Sequence, residues 1–60
     1  MPIYRCVFLD DKAKAKAVEP IDAGHLEHAI ELAAEMLNSR PDYLVVEVWR
    51  GGQRLYSSKP

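Results

Sequence analysis

The chain has 60 residues, which leaves room for one domain, residues 1–60, because single domains usually hold about 50 to 250 residues. Its one cysteine excludes an intramolecular disulfide, and one cysteine with two histidines falls short of the residue sets of structural zinc sites. The formal net charge is −1, without the basic excess that is typical of nucleic-acid binders. The sequence shows no signal-peptide layout and no apolar run near the ~20 residues of a membrane span. We therefore expect a cytoplasmic protein.

The first predicted element is a strand over Ile3 to Leu9, which is rich in aromatic and β-branched residues and ends at the turn-forming pair Asp10-Asp11. Both faces of this strand are largely apolar, as is typical of a strand in the middle of a sheet. We therefore expect it to pair with a neighbour on each side.

Lysine and alanine then alternate over Lys12 to Ala17, and the segment continues to Pro20. Lysines on one face and a proline near the end are features that keep a sheet edge from pairing with other chains. The pattern predicts an edge strand over about Lys14 to Glu19, joined to the first strand by a hairpin. A solvated loop over Lys12 to Val18 is the alternative, because alanine and lysine are weak strand formers.

A helix is predicted next, with Asp22 as its N-cap and its end near Asn38. A glycine weakens its first turn, so the ordered start can slip to His25 or Leu26. Pro41 stops the helix, since proline disfavours helical backbone in the residue before it.

The predicted helix is apolar over an arc of about 200°, which is wider than the stripe needed to pack on one sheet. Leu32 and Met36 lie in the excess part of that arc and are expected to need a further cover. The opposite side carries Glu27, Glu31 and Glu35 at a spacing of four, which we interpret as a solvated face.

Tyr43 to Arg50 is the next predicted strand, and Gly51-Gly52 is the signal for a two-residue hairpin loop. A loop at this pair sets Val48 opposite Leu55, Trp49 opposite Arg54 and Glu47 opposite Tyr56. The last residues, 57–60, are expected to form a frayed tail.

Together the elements predict an α+β fold: a two-layer ββαββ sandwich with one helix packed on one face of a four-stranded, mainly antiparallel sheet. A right-handed crossover through the helix gives a strand order of about 2-1-3-4. The helix-facing side is predicted to contain Tyr4, Cys6, Phe8, Leu44, Val46, Val48 and Leu55. The open side is predicted to contain Arg5, Val7, Val45, Glu47, Trp49, Arg54 and Tyr56.

No set of side chains in the sequence converges on a catalytic, cofactor or metal site. Cys6 lies in mid-strand between apolar neighbours and is expected to be buried and unreactive. His25 and His28, three positions apart on the helix, could share a metal with Glu31 or Glu35, but the interpretation as solvated helix residues is favoured. Gly51-Gly52 lacks the helix N-terminus that strengthens phosphate sites. We therefore infer no cofactor, no metal and no small-molecule ligand.

The start Met1-Pro2-Ile3 and the chain length resemble the small tautomerases, which use an N-terminal proline as a general base. The resemblance implies Pro2 as that base after removal of Met1, and arginines that bind an acidic substrate. The candidates for that binding are Arg5, Arg40, Arg50 and Arg54. The Lys- and Ala-rich segment stands where a tautomerase has its helix, so a tautomerase-like enzyme is kept as an alternative only.

The segments MPIYRCVFLD, residues 1–10, and VEVWRG, residues 46–51, resemble a group of short uncharacterised bacterial proteins. Members of this group begin MP-x-YRCYFLD, carry an Ala- and Glu-rich helix and end in a VEVWDG-type hairpin. Val7 and Arg50 depart from that pattern, while the resemblance covers nearly the whole chain. It implies a fold and a soluble bacterial protein, and it implies no activity.

A single helix leaves the open side of the predicted sheet uncovered, and clusters of exposed apolar side chains mark interaction sites. We therefore expect a non-catalytic binding or assembly module, a homodimer or a protein with an unidentified protein partner. The candidate interaction face consists of Arg5, Val7, Val45, Glu47, Trp49, Arg54 and Tyr56. A cation–π contact is expected between Trp49 and Arg54. A weak single-stranded nucleic-acid binder through Trp49, Tyr56 and Arg54 is the remaining alternative, which the net charge disfavours.

Overall fold

The computed structural model describes residues 3–59 as one four-stranded sheet with one helix packed on one side of it. In chain order the elements are β1 (Ile3–Leu9), β2 (Ala15–Asp22), α1 (Leu26–Asn38), β3 (Val45–Arg50) and β4 (Gln53–Ser57). The strands lie in the order β2-β1-β3-β4, and each neighbouring pair is antiparallel. The predicted α+β fold and strand order are confirmed. Within the described range, no helix has the length and apolar character needed to cross a membrane.

The core lies between α1 and the side of the sheet that faces it. Alternate residues of the two central strands point to this side, and Cys6 and Phe8 of β1 are fully buried there. Ala29 and Ala33 are the buried residues of α1, and their small side chains let the helix lie close to the sheet. The buried cluster consists of Tyr4, Cys6, Phe8, Ile21, Ala23, Ala29, Ala33, Val46 and Val48.

His25, and not the predicted Asp22, is the N-cap of α1. Its Nδ1 accepts a hydrogen bond from the backbone N–H of His28 at 3.2 Å. Asp22 is still part of β2, so the helix starts at the later of the positions that the sequence allowed. Leu32 and Met36, which were expected to need a further cover, are half-buried against the core cluster.

β2 is a strand and not a loop, but its bounds differ from the predicted Lys14 to Glu19. It continues through Pro20, which lies opposite Arg5. A proline is tolerated here because β2 is the edge of the sheet and its outer side has no ladder to complete. Lys16 is the one lysine inside the strand, and its Nζ lies 3.9 Å from Oδ2 of Asp10.

Asp10 organises the connection between β1 and β2. Its Oδ1 accepts hydrogen bonds from the backbone N–H groups of Lys14 at 3.0 Å and Lys12 at 2.8 Å. These hydrogen bonds, with the positive charge of Lys16 nearby, stabilise the carboxylate and lower the pKa of Asp10. The loop closes at Ala13, whose φ of 60° is the left-handed conformation that glycine usually adopts in short hairpin loops.

Replacing Ala13 by glycine is expected to stabilise the protein by about 0.5–1 kcal/mol. A left-handed backbone conformation costs a non-glycine residue about 1–2 kcal/mol, which glycine does not pay. The greater entropy of glycine in the unfolded chain offsets about half of this gain in stability. The Tm measured by circular dichroism should rise by about 2–8 °C. Ala15→Gly is the control, because Ala15 lies in β2 opposite Leu9 and glycine there should lower the Tm. An unchanged or lower Tm for Ala13→Gly contradicts the expected relief.

β3 and β4 form the predicted hairpin. Arg50 pairs with Gln53 across Gly51-Gly52, and Trp49 lies opposite Arg54 as predicted. Gly51 has a φ of 60°, the positive value that the first loop position of a type II′ turn requires.

A β-bulge beyond this first pair changes the predicted register. Val48 lies opposite Tyr56 and not Leu55, and Glu47 lies opposite Ser57 and not Tyr56. Leu55 is the extra residue of the bulge. Its side chain nevertheless packs against the core, as predicted.

The predicted frayed tail is paired through Ser58. The backbone N–H of Ser58 donates to the carbonyl oxygen of Val46 at 3.0 Å, and its Oγ accepts from the N–H of Val46 at 3.0 Å. The serine side chain thus prolongs the ladder by replacing a main-chain partner. The tail prediction is wrong for Ser58 and for Ser57, which belongs to β4, and Pro60 lies outside the described residues.

The predicted core position of Leu44 is also wrong, because β3 begins only after it and the side chain is 60% exposed. Tyr43 packs against the core instead, and its ring stacks on that of Phe8 with the centroids 5.7 Å apart. The guanidinium of Arg40 lies 4.8 Å from the centre of the Phe8 ring and forms an ion pair with Glu19. These contacts join the segment after α1 to both β1 and β2.

Candidate interaction face

The open face is the side of the sheet opposite α1. Strand register places on it Ile3, Arg5, Val7, Leu9, Val18, Val45, Glu47, Trp49 and Arg54. Ile3 and Val18 are 60% and 55% exposed, and Leu44, just before β3, adds a third exposed aliphatic side chain. The face therefore brings together six of the seven residues that the sequence predicted for it.

Tyr56 is the residue that does not belong to the open face. The bulge at Leu55 shifts β4 by one residue, so Tyr56 lies opposite the fully buried Val48 and packs against the core. A one-residue shift moves a side chain to the other side of a sheet, because side chains alternate with a period of two. The predicted aromatic pair on one surface is therefore wrong, and Trp49 is the aromatic residue of the open face.

Glu47 lies at the centre of the open face and has both carboxylate oxygens paired. Its Oε1 accepts a hydrogen bond from Nε1 of Trp49 at 3.1 Å, and its Oε2 accepts from Nη1 of Arg54 at 3.1 Å. The side chain of Glu47 is only 13% exposed. This arrangement fixes the indole ring and neutralises the charge of Glu47 within one copy of the chain.

Trp49 stands between two arginines in one row across the sheet, with Arg5 on β1 and Arg54 on β4. The predicted cation–π contact of Trp49 with Arg54 is replaced by the ion pair of Arg54 with Glu47. Arg5 donates from Nη2 to the carbonyl oxygen of Gly51 at 2.6 Å, which holds its guanidinium over the hairpin end.

A groove of about 490 Å³ runs along the open face beside the connection between β1 and β2. Its apolar lining comes from Val7, Leu9, Ala13, Ala15, Leu44, Val45 and Trp49. Its charged lining comes from Asp10, Asp11, Glu47, Arg54 and Lys59. The sequence patterns predicted Glu47 and Arg54 on this face but not Asp10, Asp11, Lys59 or Leu44. For Leu44 there was a signal, because the turn-forming pair Pro41-Asp42 favours a β3 that starts later than Tyr43.

Both edges of the sheet are obstructed. β2 carries Lys16 and Pro20, and β4 has five residues with a bulge at Leu55. Lysines, prolines, short strands and bulges keep edges from pairing with other chains. Association by strand addition is therefore disfavoured at both edges of the described sheet.

The chemistry-bearing side chains that the sequence singled out lie away from the open face. Cys6 is fully buried on the helix-facing side, where burial and the negative charge of Glu19 raise the pKa of its thiol to about 11. His25 and His28 are exposed, with ring centres 6.0 Å apart. Within residues 3–59, no group of three or more His, Cys, Asp and Glu side chains is placed to hold a metal ion.

The arginines that the tautomerase resemblance requires do not converge. Arg5 and Arg54 lie on the open face, whereas Arg40 and Arg50 contact aromatic rings on the helix-facing side. β2 occupies the segment where a tautomerase has its helix, and Pro2 lies outside the described residues. Comparisons of the chain with protein-family models, with curated proteins and with solved structures found no match.

Proposed function

We propose that the protein is a non-catalytic assembly module that forms a homodimer by packing its open face against the open face of a second copy. The observation that carries this proposal is the apolar groove on a face that no described element covers, lined by Val7, Leu9, Ala13, Ala15, Leu44, Val45 and Trp49. Ile3 and Val18 add exposed aliphatic side chains elsewhere on the same face. Such clusters mark interaction surfaces more often than isolated exposed residues do. Trp and Arg, both present here, are frequent interface anchors.

The polar groups at the centre of the open face can lose water without being left unpaired. Glu47 already has a partner for each carboxylate oxygen in Trp49 and Arg54. An unpaired carboxylate in the middle of an interface would cost several kcal/mol. Because the pairing is complete within one copy, the partner needs to contribute only apolar contacts at this point.

The size of the chain favours a second copy as the partner. A domain of 60 residues hides only about 60% of its unfolded surface, and its core supplies roughly 3–5 kcal/mol. Four strands about 4.8 Å apart, with five or six residues in β3 and β4, make a face of roughly 20 Å by 20 Å. Interfaces of this size are small, so we expect a Kd in the micromolar range.

Replacing Leu44 by glutamate is expected to weaken self-association by about tenfold or more without unfolding the monomer, because the exposed side chain lines the groove and contributes little to the core. Sedimentation equilibrium from about 1 to 200 μM brackets the expected micromolar Kd. Ala34→Glu is the matched control, since it adds the same charge at an exposed position of α1. The wild type and the control should approach twice the 6.8 kDa of the chain.

A wild-type species that stays at 6.8 kDa over the whole concentration range contradicts the proposal. Equal weakening by Leu44→Glu and Ala34→Glu would place the interface elsewhere. Titration with a mixed single-stranded oligonucleotide tests the nucleic-acid alternative in the same samples, and salt-sensitive binding would favour that alternative over self-association.

A further inference from the structure

Apart from Glu47, which is paired with Arg54, the charges that line the groove are separated by sign across the sheet. Asp10 and Asp11 lie on the side of β1 and β2, and Arg54 and Lys59 lie on the side of β4. Lys12, Lys14 and Lys16 belong to the β1–β2 region but do not line the groove.

Two of these groove charges have no ion pair among the described residues. Glu47 pairs with Arg54, and Asp10 is held by backbone N–H groups and Lys16. Asp11 and Lys59 remain. They lie near the same end of the sheet, because β1 ends at Leu9 opposite Val45 and the chain reaches Lys59 just after Ser58 pairs with Val46.

Resting on the proposed function, we propose that the two copies are related by a two-fold axis that lies in the interface and runs parallel to β1 and β3. Such an axis keeps a residue's position along the strands and exchanges the two sides of the sheet. Asp11 of each copy then lies opposite Lys59 of the other, which gives two symmetry-related ion pairs. The interface is isologous, so it closes at the dimer.

The same axis favours the remaining contacts of the face. Trp49 lies level with Arg5 in the sheet, so this axis sets Trp49 of each copy opposite Arg5 of the other. Two faces related in this way have their strands aligned, which is the common geometry of packed sheets.

A two-fold axis perpendicular to the strands is disfavoured by the same charges. It keeps each residue on its own side of the sheet and exchanges the two ends. Lys59 would then face Arg54 of the other copy, and Asp11 would face Asp22, which lies opposite Ile3 at the far end of β2. Like charges opposed in an interface select against that arrangement.

A charge-swap experiment tests the parallel axis. Asp11→Lys and Lys59→Glu should each weaken self-association about tenfold at low ionic strength, because each places like charges at both symmetry-related contacts. An equimolar mixture of the two variants should form a heterodimer with a Kd within about threefold of the wild-type value, since both contacts are again opposite in sign. Native mass spectrometry separates the heterodimer from homodimers, and sedimentation equilibrium gives the constants.

Glu31→Lys and Lys12→Glu are the matched controls, because they change the net charge by the same amounts at exposed positions outside the groove. Neither control should weaken association by more than about twofold. If wild-type dimers form but the two groove variants behave like the controls, or if their mixture yields no heterodimer preference, the parallel axis is wrong while the dimer stands. A monomeric wild type overturns both proposals.

Discussion

Replacing Phe8 by alanine is expected to leave the protein largely unfolded at 25 °C. Phe8 is fully buried, its ring stacks on Tyr43, and the guanidinium of Arg40 covers it at 4.8 Å. Removal of a buried phenylalanine side chain costs about 3–5 kcal/mol, which is as much as a core of this size supplies. The expected result is a flat thermal transition by circular dichroism and a Trp49 emission spectrum close to that in urea.

Phe8→Leu is the matched control for this prediction. Leucine keeps the position apolar and retains most of the volume, so the loss should stay below about 1.5 kcal/mol and the variant should unfold cooperatively at a lower Tm. A Phe8→Ala protein whose Tm lies within about 5 °C of wild type would mean that Phe8 contributes less than about 1 kcal/mol and that the core is organised around other residues.

Cys6 should react with a thiol reagent about 10²–10⁴ times more slowly in the native protein than in urea. Its side chain is fully buried, and its raised pKa of about 11 keeps the thiol protonated at neutral pH. Reaction therefore requires unfolding. A free energy of unfolding of roughly 3–5 kcal/mol keeps the unfolded fraction at about 10⁻²–10⁻⁴, which sets the expected slowing of the reaction. The measurement is the rate of reaction with a chromogenic disulfide at pH 7.5 with and without ~6 M urea.

The control is a Cys6→Ala protein with Ala34→Cys, because Ala34 is an exposed residue of α1. Its new thiol should react at nearly the same rate in both conditions. A native Cys6 rate within about tenfold of the rate in urea would contradict the expected protection. Since binding of a second copy stabilises the native state, the protection should also increase with protein concentration if the dimer forms.

Most of the fold could be predicted from the sequence because the strand pattern of β1 and the helical pattern of α1 are both long. Seven residues rich in aromatic and β-branched side chains defined β1, and between three and four turns of helical periodicity defined α1. Their bounds agree with the structure at Ile3–Leu9 and at the end near Asn38. The two-glycine loop then set the pair of Trp49 and Arg54, which leaves few arrangements of the remaining strands.

The predictions for Tyr56 and Leu44 were wrong because, at each place, one residue interrupts the alternation of side chains between the two faces of the sheet. The bulge at Leu55 moves Tyr56 from the open face to the core, and the late start of β3 moves Leu44 out of the core. A bulge has no distinctive sequence in this hairpin, since Arg54 and Tyr56 fit either register. The groove was missed for a similar reason, because its charged ends depend on where the loop after Asp10 and the chain around Lys59 lie in space.

The strand order also determines at which stage of folding the chain is most prone to aggregate. β1 pairs with β2 through a short loop, but its other side pairs with β3 about 40 residues later. Local hairpins close faster than such distant pairings, so a folding chain passes through states in which one edge of β1 is free. β1 has the sequence IYRCVFL, with one charged residue and no proline, which is the composition of segments prone to intermolecular β-pairing. We therefore expect misassembly to begin at the edge of β1 that faces β3 when refolding is slow or the protein is concentrated, and pairing with β3 covers this edge.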